Sequence, residues 1–424
     1  MNITVVGLGK IGLPLAVYLS QRNHVVGLDN NKNVVEQINN GQEPFPGEKN
    51  LKKILKEVVE SQKLIATLDV SKAIKSADVI LICVPLIINK KNEPDFLNID
   101  SVVNDIGKHI VSGTLIAFET TLPVGTTRDR FSKSIEKISN LEVGKDIFIV
   151  FSPERVLTGR VFEDLIKYPK LVGGVTNLCT KKGVEFYKSV LEFDNNFLGE
   201  RVWALENCET AEFTKIAETT YRDVNIGLAN EFAIYAKRKN LDFTQVIQAA
   251  NSQPYSNIHT PGISVGGHCI PVYPHFYISD NPNSQIVQAA RYQNDSMPNY
   301  VINEIKKIFP SIQNFSIAIF GLSYRPNVKE SAFSGALTIR DILIKENVRV
   351  FGYDSLYSEV EIERMGFNYI NDFDCLDGII LHTEHEENLN FNFSKLKNLK
   401  FLFDGRNQLI NQKNIMKEFL YLNI

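Results

Sequence analysis

Short runs of Val, Ile and Leu punctuate the first part of the chain, at Ile3 to Val6, Val25 to Asp29, Asp78 to Pro85, Leu115 to Thr121 and Ile147 to Ser152. Between them, helical segments intervene, the first opening after Gly12. Strands that are continuously apolar rather than alternating, and that alternate with helices, predict a parallel sheet covered on both faces. From Glu206 to Lys239 there is no proline and one glycine, Gly227, and Phe213, Ile216, Thr220, Val224, Leu228 and Phe232 recur at helical spacing. A helix of about 30 residues, some 45 Å long, is predicted there, a length suited to joining two domains.

A second β-start follows at Ser316 with SIAIFGL, then a helix around Gly335 to Glu346, then VRVFGYD, GIILHT and FLFDG. The echo of the first part is partial, because Leu322-Ser323-Tyr324-Arg325 follows Gly321 where the first part has two more glycines. The expected fold is α/β, two Rossmann-like doubly wound domains joined by a long central helix. The expected boundaries are 1–198 for the first domain, 199–305 for a central helical region and 306–424 for the last.

Composition narrows the class. With 424 residues, 44% hydrophobic and 22% charged, the chain matches a multidomain globular protein and excludes disordered or collagen-like ones. A net charge of −3 gives no footprint for nucleic acid or anionic lipid, so neither is an expected partner. The longest apolar run, Val79 to Ile88, is about half the roughly 20 residues a spanning helix needs. The start MNITVVGLG has no charged n-region or cleavage site, so no membrane or secretory segment is expected. Cys83, Cys179, Cys208, Cys269 and Cys375 form no C-x-x-C pair and suggest reduced thiols in a cytoplasmic setting.

Gly7-Leu8-Gly9-Lys10-Ile11-Gly12 lies between a strand and a helix, and Asp29 ends the next strand. The first glycine makes the tight turn, the second lets backbone amides reach a pyrophosphate, and the third permits close helix packing. The carboxylate binds a ribose diol. Asp29 would repel a 2′-phosphate and no arginine follows it, which favours NAD over NADP, although Lys32 is a nearby cation. A second glycine-rich loop, Gly262-Ile263-Ser264-Val265-Gly266-Gly267-His268-Cys269-Ile270-Pro271, leaves room beside Cys269 for a substrate carbon and a nicotinamide ring; a thiolate there could attack an aldehyde. The spacing of His268, Cys269 and His275 matches no common zinc pattern, and no metal is expected. His382-Thr383-Glu384-His385 is expected to be a solvated strand end.

Taken together, GLGKIG, Glu119 to Thr127 (ETTLPVGTT), Ser152 to Val156 (SPERV), Glu212 to Lys215 (EFTK), Gly266 to Cys269 (GGHC), Asn294 to Pro298 (NDSMP) and Gly321 to Pro326 (GLSYRP) resemble the UDP-glucose/GDP-mannose dehydrogenase family over essentially the whole chain. The resemblance implies a four-electron oxidation of the C6 hydroxymethyl of a UDP-sugar to a carboxylate with NAD, through a Cys269 thiohemiacetal and thioester, in a homodimer built on residues near 206 to 239. It assigns catalysis to Cys269, Lys215 (oxyanion), Glu154 (general base), Thr121 (holding a water) and Thr219. It assigns cofactor binding to Gly7, Gly9, Lys10, Ile11, Gly12, Asp29, Lys32, Val84, Pro85 and Thr121. Substrate contacts fall to Glu154, Arg155, Val156, Lys215, Asn257, Gly266, Tyr324 and Arg325, with Arg222 and Asn225 serving the dimer or the sugar.

Three departures stand out. Thr219 replaces a family asparagine, Tyr273 replaces a family aspartate that would serve hydrolysis, and Lys329 to Ser334 occupies the place of an acid-acid-x-Arg-Glu-Ser motif. GGHC and ETTYRDVNIGLANE resemble the branch acting on UDP-N-acetylhexosamines, such as the N-acetylmannosamine and N-acetylglucosamine enzymes. UDP-glucose and GDP-mannose are alternatives, as are a two-electron dehydrogenase and an inactive NAD- or nucleotide-sugar-binding regulator. Cys269 is the expected nucleophile, and the other four cysteines are expected to be packing thiols.

Overall fold

Each apolar run of the first part closes into one sheet in the computed structural model, which describes residues 1–193, 199–412 and 418–424. Its strands are β1 (Asn2–Val6), β2 (His24–Leu28), β3 (Leu64–Thr67) and β4 (Val79–Ile82), then, after a small hairpin β5 (Ile87–Ile88) and β6 (Pro94–Asp95), β7 (Leu115–Phe118), β8 (Phe148–Phe151), β9 (Lys170–Gly174) and β10 (Val202–Ala204). The order is β10-β9-β8-β7-β4-β1-β2-β3, and every neighbouring pair is parallel except β8 with β9. β4 (VILI) and β7 (LIAF) are buried at every position, as strands covered on both faces must be.

The second sheet is parallel throughout: β11 (Ser316–Phe320), β12 (Arg349–Tyr353), β13 (Asn368–Tyr369), β14 (Gly378–Leu381), β15 (Phe401–Asp404) and β16 (Leu420–Asn423), in the order β13-β12-β11-β14-β15-β16. That order, and β3-β2-β1-β4-β7-β8 of the first sheet, is the doubly wound 3-2-1-4-5-6 arrangement, whose crevice lies between the first and fourth strands. The predicted long helix runs from Cys208 to Arg238, 31 residues.

By backbone contacts the chain divides into two compact units, residues 1–218 with 275–280 and residues 219–274 with 281–424; the long helix continues from one into the other. The expected boundary at residue 198 falls outside the described residues. Two expectations are corrected. His382, Thr383 and His385 are 1–2% exposed rather than a solvated strand end, because β14 is a central strand and the chain beyond it stays packed. Cys375 is exposed rather than packed, since it sits in a short 3-10 turn between β13 and β14.

The first helix, Gly12–Ser20, packs so closely on the turn before it that a Cβ on Gly12 would lie 1.9 Å from the Gly7 carbonyl oxygen. The obstacle is backbone, which has no room to yield. Gly12→Ala is therefore expected to lower stability by about 2 kcal/mol or more, as overpacking does, measured by urea unfolding.

Candidate functional site

At the carboxyl edge of the first sheet, Gly7 leaves β1 with φ of 90° and donates its N–H to Leu28 O at 2.8 Å. The following N–H, of Leu8, donates to Asp29 Oδ2 at 2.8 Å, while Asp29 Oδ1 accepts from Asn31 N at 2.9 Å. Asp29 is half-buried, so it is fixed in orientation yet reachable. A Cβ on Gly9 would meet nothing within 4 Å, which leaves backbone open to a bulky anion. Lys10, Ile11 and Val84 are half-buried around this turn and Pro85 is exposed; Val84 closes on Gly7, whose Cβ would lie 3.2 Å from it. Lys32 is exposed and pairs at 3.6 Å with Glu36 one turn on in its helix. These residues fit a dinucleotide: a strained turn, an open amide face and a carboxylate on the neighbouring strand.

Further along the same edge, Thr121 follows β7 and is 3% exposed, and Glu154 follows β8. Glu154 Oε1 accepts from Arg155 N at 2.8 Å and Oε2 from Lys170 Nζ at 3.0 Å. Lys170 also pairs with Glu119, which accepts from the Tyr187 hydroxyl. Burial pushes the Glu119 carboxyl up to about 7, against the pull of Lys170. The Arg155 fork reaches Glu218 at 2.9 Å, and Val156 packs against the first unit's core.

Glu212, in the second turn of the long helix, is fully buried. It accepts from Gly125 N (2.6 Å), Thr127 N (2.8 Å) and Thr127 Oγ1 (2.6 Å), and burial pushes it up to about 7 although these donors oppose the shift. It thereby ties the helix to the loop that begins at Thr121. Lys215 comes three residues later, 9% exposed, and Thr219, 7% exposed, lies four residues beyond it on the same helical face.

In the second unit Cys269 is exposed at the end of its glycine loop. Its carbonyl accepts from Val272 N and Tyr273 N at 3.2 and 2.9 Å as the helix Tyr273–Asp280 begins. Gly267, at φ 95°, donates to Ala332 O at 2.9 Å, and a Cβ on Gly266 would lie 2.5 Å from the Tyr324 Cβ. The loop is thus moulded onto the segment after β11 that carries Tyr324 and Arg325, both half-buried beside the crevice between β11 and β14. Ser264 Oγ, earlier in the loop, bonds His382 Nε2 at 2.8 Å, and burial lowers His382 to about 3, so it is neutral. Asp354 repeats the place of Asp29, accepting from Leu322 N and Ser323 N, but it is 2% exposed and hydrogen-bonded to His385 at 3.0 Å. Arg222 and Asn257 are exposed, and Asn225 Oδ1 accepts from His259 N at 3.4 Å.

Residues 1–191 match the UDP-glucose/GDP-mannose dehydrogenase family NAD binding domain, 209–296 its central domain and 318–411 its UDP binding domain. The chain belongs to the UDP-glucose/GDP-mannose dehydrogenase family. It is therefore an NAD-dependent oxidoreductase of nucleotide sugars, as the family's paired NAD and UDP binding domains require. A UDP-N-acetyl-D-mannosamine dehydrogenase of Methanocaldococcus jannaschii is 34% identical over 429 residues, covering 99% of this chain and 94% of that protein. The structure of a like-named enzyme from Pyrococcus horikoshii superposes with a TM-score of 0.86 at 30% identity, over 100% of this chain and 99% of that one. The Staphylococcus aureus enzyme superposes at 0.83 and 31%, over 100% and 98%. Among the described residues no helix is long and apolar enough to cross a membrane.

Within this family member, sequence reasoning missed Glu119, Lys170, Tyr187 and the role of Glu212. The last was visible as the first letter of EFTK, but its partners lie more than 80 residues away. Glu212→Ala is expected to cost about 3 kcal/mol by stranding buried donors. Because the folded carboxyl titrates near 7 and the unfolded one near 4.3, the stability Glu212 contributes is full below the unfolded value and fades as pH rises through 7. The cost, read by urea unfolding, should be larger at pH 5.5 than at pH 8.

Proposed function

We propose that this chain oxidises the C6 hydroxymethyl of a UDP-N-acetylhexosamine, UDP-N-acetylmannosamine first, to the uronate. The observation that carries this reading is the likeness, over 82–99% of this chain, to proteins named UDP-N-acetyl-D-mannosamine dehydrogenases at 31–36% identity. In this scheme residues 1–198 hold the cofactor, 199–305 carry the nucleophile and the dimer surface, and 306–424 hold the nucleotide.

The cofactor supplies the hydride acceptor in each of two rounds. Glu154 takes the proton of the C6 hydroxyl as the first hydride leaves, and Lys215 opposes the negative charge that develops on oxygen. The Cys269 sulfur then bonds the aldehyde carbon, and the thiol's proton ends on oxygen, giving a thiohemiacetal. Loss of the second hydride and of the hydroxyl proton leaves a thioester. Water, held by Thr121 and deprotonated with help from Glu154, displaces the thiol and frees the carboxylate. Thr219, shorter than the family asparagine, donates to the same oxygen; Tyr273 has no carboxylate to offer, so hydrolysis rests on Glu154 and Thr121. Arg155, Val156, Asn257 and Gly266 bound the sugar, while Tyr324 and Arg325 meet the uracil and phosphates, where an arginine fork suits a diphosphate.

The long helix exposes Tyr221, Leu228, Phe232 and Tyr235, spaced 7, 4 and 3 residues apart along one stripe. A stripe on this scale is covered by a second copy of the chain, giving a homodimer with the two helices face to face.

Across UDP-N-acetylmannosamine, UDP-N-acetylglucosamine, UDP-N-acetylgalactosamine, UDP-glucose and GDP-mannose, the first should release NADH fastest, two NADH per sugar. One NADH per sugar would exclude the four-electron reaction, and none with any sugar would favour a binding protein. Cys269→Ala should abolish carboxylate formation with NAD affinity unchanged; carboxylate formed at the wild-type rate would remove the covalent step. Phe232→Glu should turn a dimer into a monomer in light scattering at micromolar concentration.

A further inference from the structure

In a sheet where the other paired neighbours run parallel, β9 runs against β8, with Phe151 opposite Gly173 and Val150 opposite Gly174. Carried three residues past the end of β8, that register sets Glu154 opposite Lys170. A parallel strand would have placed its first residue at the far edge of the sheet. The reversal therefore delivers an ammonium to the edge where β7 and β8 end, and its side chain is only 6% exposed.

Three polar groups converge on that ammonium from three elements. Glu119 follows β7, with its side chain 1% exposed; Glu154 follows β8, at 11%; and Tyr187, from the helix Asn177–Val190, donates to Glu119 while its ring lies 5.0 Å from the lysine nitrogen. Cys83, at the end of β4, also faces the cluster, and burial pushes its thiol well above its ordinary value, as it does the Tyr187 phenol; Arg155, Asp164 and Tyr168 line the same small pocket as Glu154 and Lys170. The cluster thus holds two carboxyls and one cation. Placing two carboxylates against a single buried ammonium leaves one uncompensated negative charge, which is costly out of water. The proton that Glu119 retains near neutrality relieves it.

We propose that Glu119 and Lys170 are positioning residues for Glu154: they fix its carboxylate at the sheet edge, and the charge they carry governs how readily Glu154 accepts the substrate's proton. This rests on the reading that Glu154 is the general base. Lys170 acts as the fixed counter-ion and Glu119 as the second claimant on it. When Glu119 is ionised it competes with Glu154 for the one ammonium; when it is protonated, Lys170 faces Glu154 alone.

The test is the pH dependence of kcat/KM for NADH release, from pH 5.5 to 9.5, with the fastest sugar of the panel, for wild type, Glu119→Gln, Lys170→Met, Lys170→Arg and Glu154→Gln. Glu119→Gln keeps an acceptor for Lys170 and Tyr187 but removes the competing charge. Its acid limb should move down by about one pH unit, KM for NAD and sugar staying within about twofold. Lys170→Met should move the limb up and lower kcat at least about tenfold, and Lys170→Arg should restore most of it. Should Lys170→Met fail to fold by circular dichroism, Glu119→Gln decides alone. A Glu119→Gln profile that superposes on wild type overturns the proposal. Wild-type activity in Glu154→Gln would instead sink the general-base reading, and an inactive Glu154→Gln with an unmoved Glu119→Gln profile would sink only the inference.

Discussion

A single buried carboxylate fixes the part of the first unit where chemistry is expected. Glu212 reaches from the long helix to accept from two backbone amides and one hydroxyl in the Gly125–Thr127 segment. Those donors would otherwise be buried without partners. Satisfying them from the helix rather than from within the loop makes the helix and the loop one piece. Lys215, less than one helical turn beyond Glu212, and Thr121, four residues before Gly125, inherit their positions from that joint. An apolar residue of equal size could fill the space but could not serve three donors.

The two sheets share strand order, yet the same acidic position has been put to different uses. Asp29 and Asp354 both end the second strand of their sheet and both accept amides from the turn after the first strand. Asp29 stays half-exposed, whereas Asp354 is sealed and paired with His385. In the second unit the carboxylate is therefore a structural brace that holds the start of the Leu322–Arg325 turn. Packing His382 under Ser264 and Tyr324 under Gly266 couples the same turn to the loop of Cys269. Two glycines at 266 and 267 let that loop lie flat on an aromatic residue.

The central strands of both sheets were legible because buried on both faces they read as unbroken apolar runs, and the long helix because no proline between Glu206 and Lys239 interrupts it. Edge strands such as β3, β10 and β13, of four, three and two residues, are too short to stand out. The glycine turn and Asp29 were legible since backbone geometry dictates residue type there. The burial of His382 and His385 was not, for a histidine after an apolar run has the same sequence appearance whether it meets water or a serine and an aspartate. Lys170 gave no signal either. Local sequence cannot reveal that one strand runs backwards, because direction depends on where the helix before it returns the chain.

That reversal is where the first unit departs from a plain binding fold. An all-parallel sheet gathers strand ends, turns and helix N-termini at its carboxyl edge, all of which favour bound anions. Such an edge suits a cofactor's phosphates but works against keeping a carboxylic acid ready to gain and lose a proton, because amides and helix termini stabilise the anion. Bringing in the first residue of an antiparallel strand adds a buried ammonium and, with Glu119, a second carboxyl that competes for it. The glycine turn with Asp29 and the Glu119–Lys170–Glu154 cluster thus occupy different strands of one sheet, β1 with β2 for the first and β7, β8 and β9 for the second. Separating them along the sheet lets each set its own electrostatics.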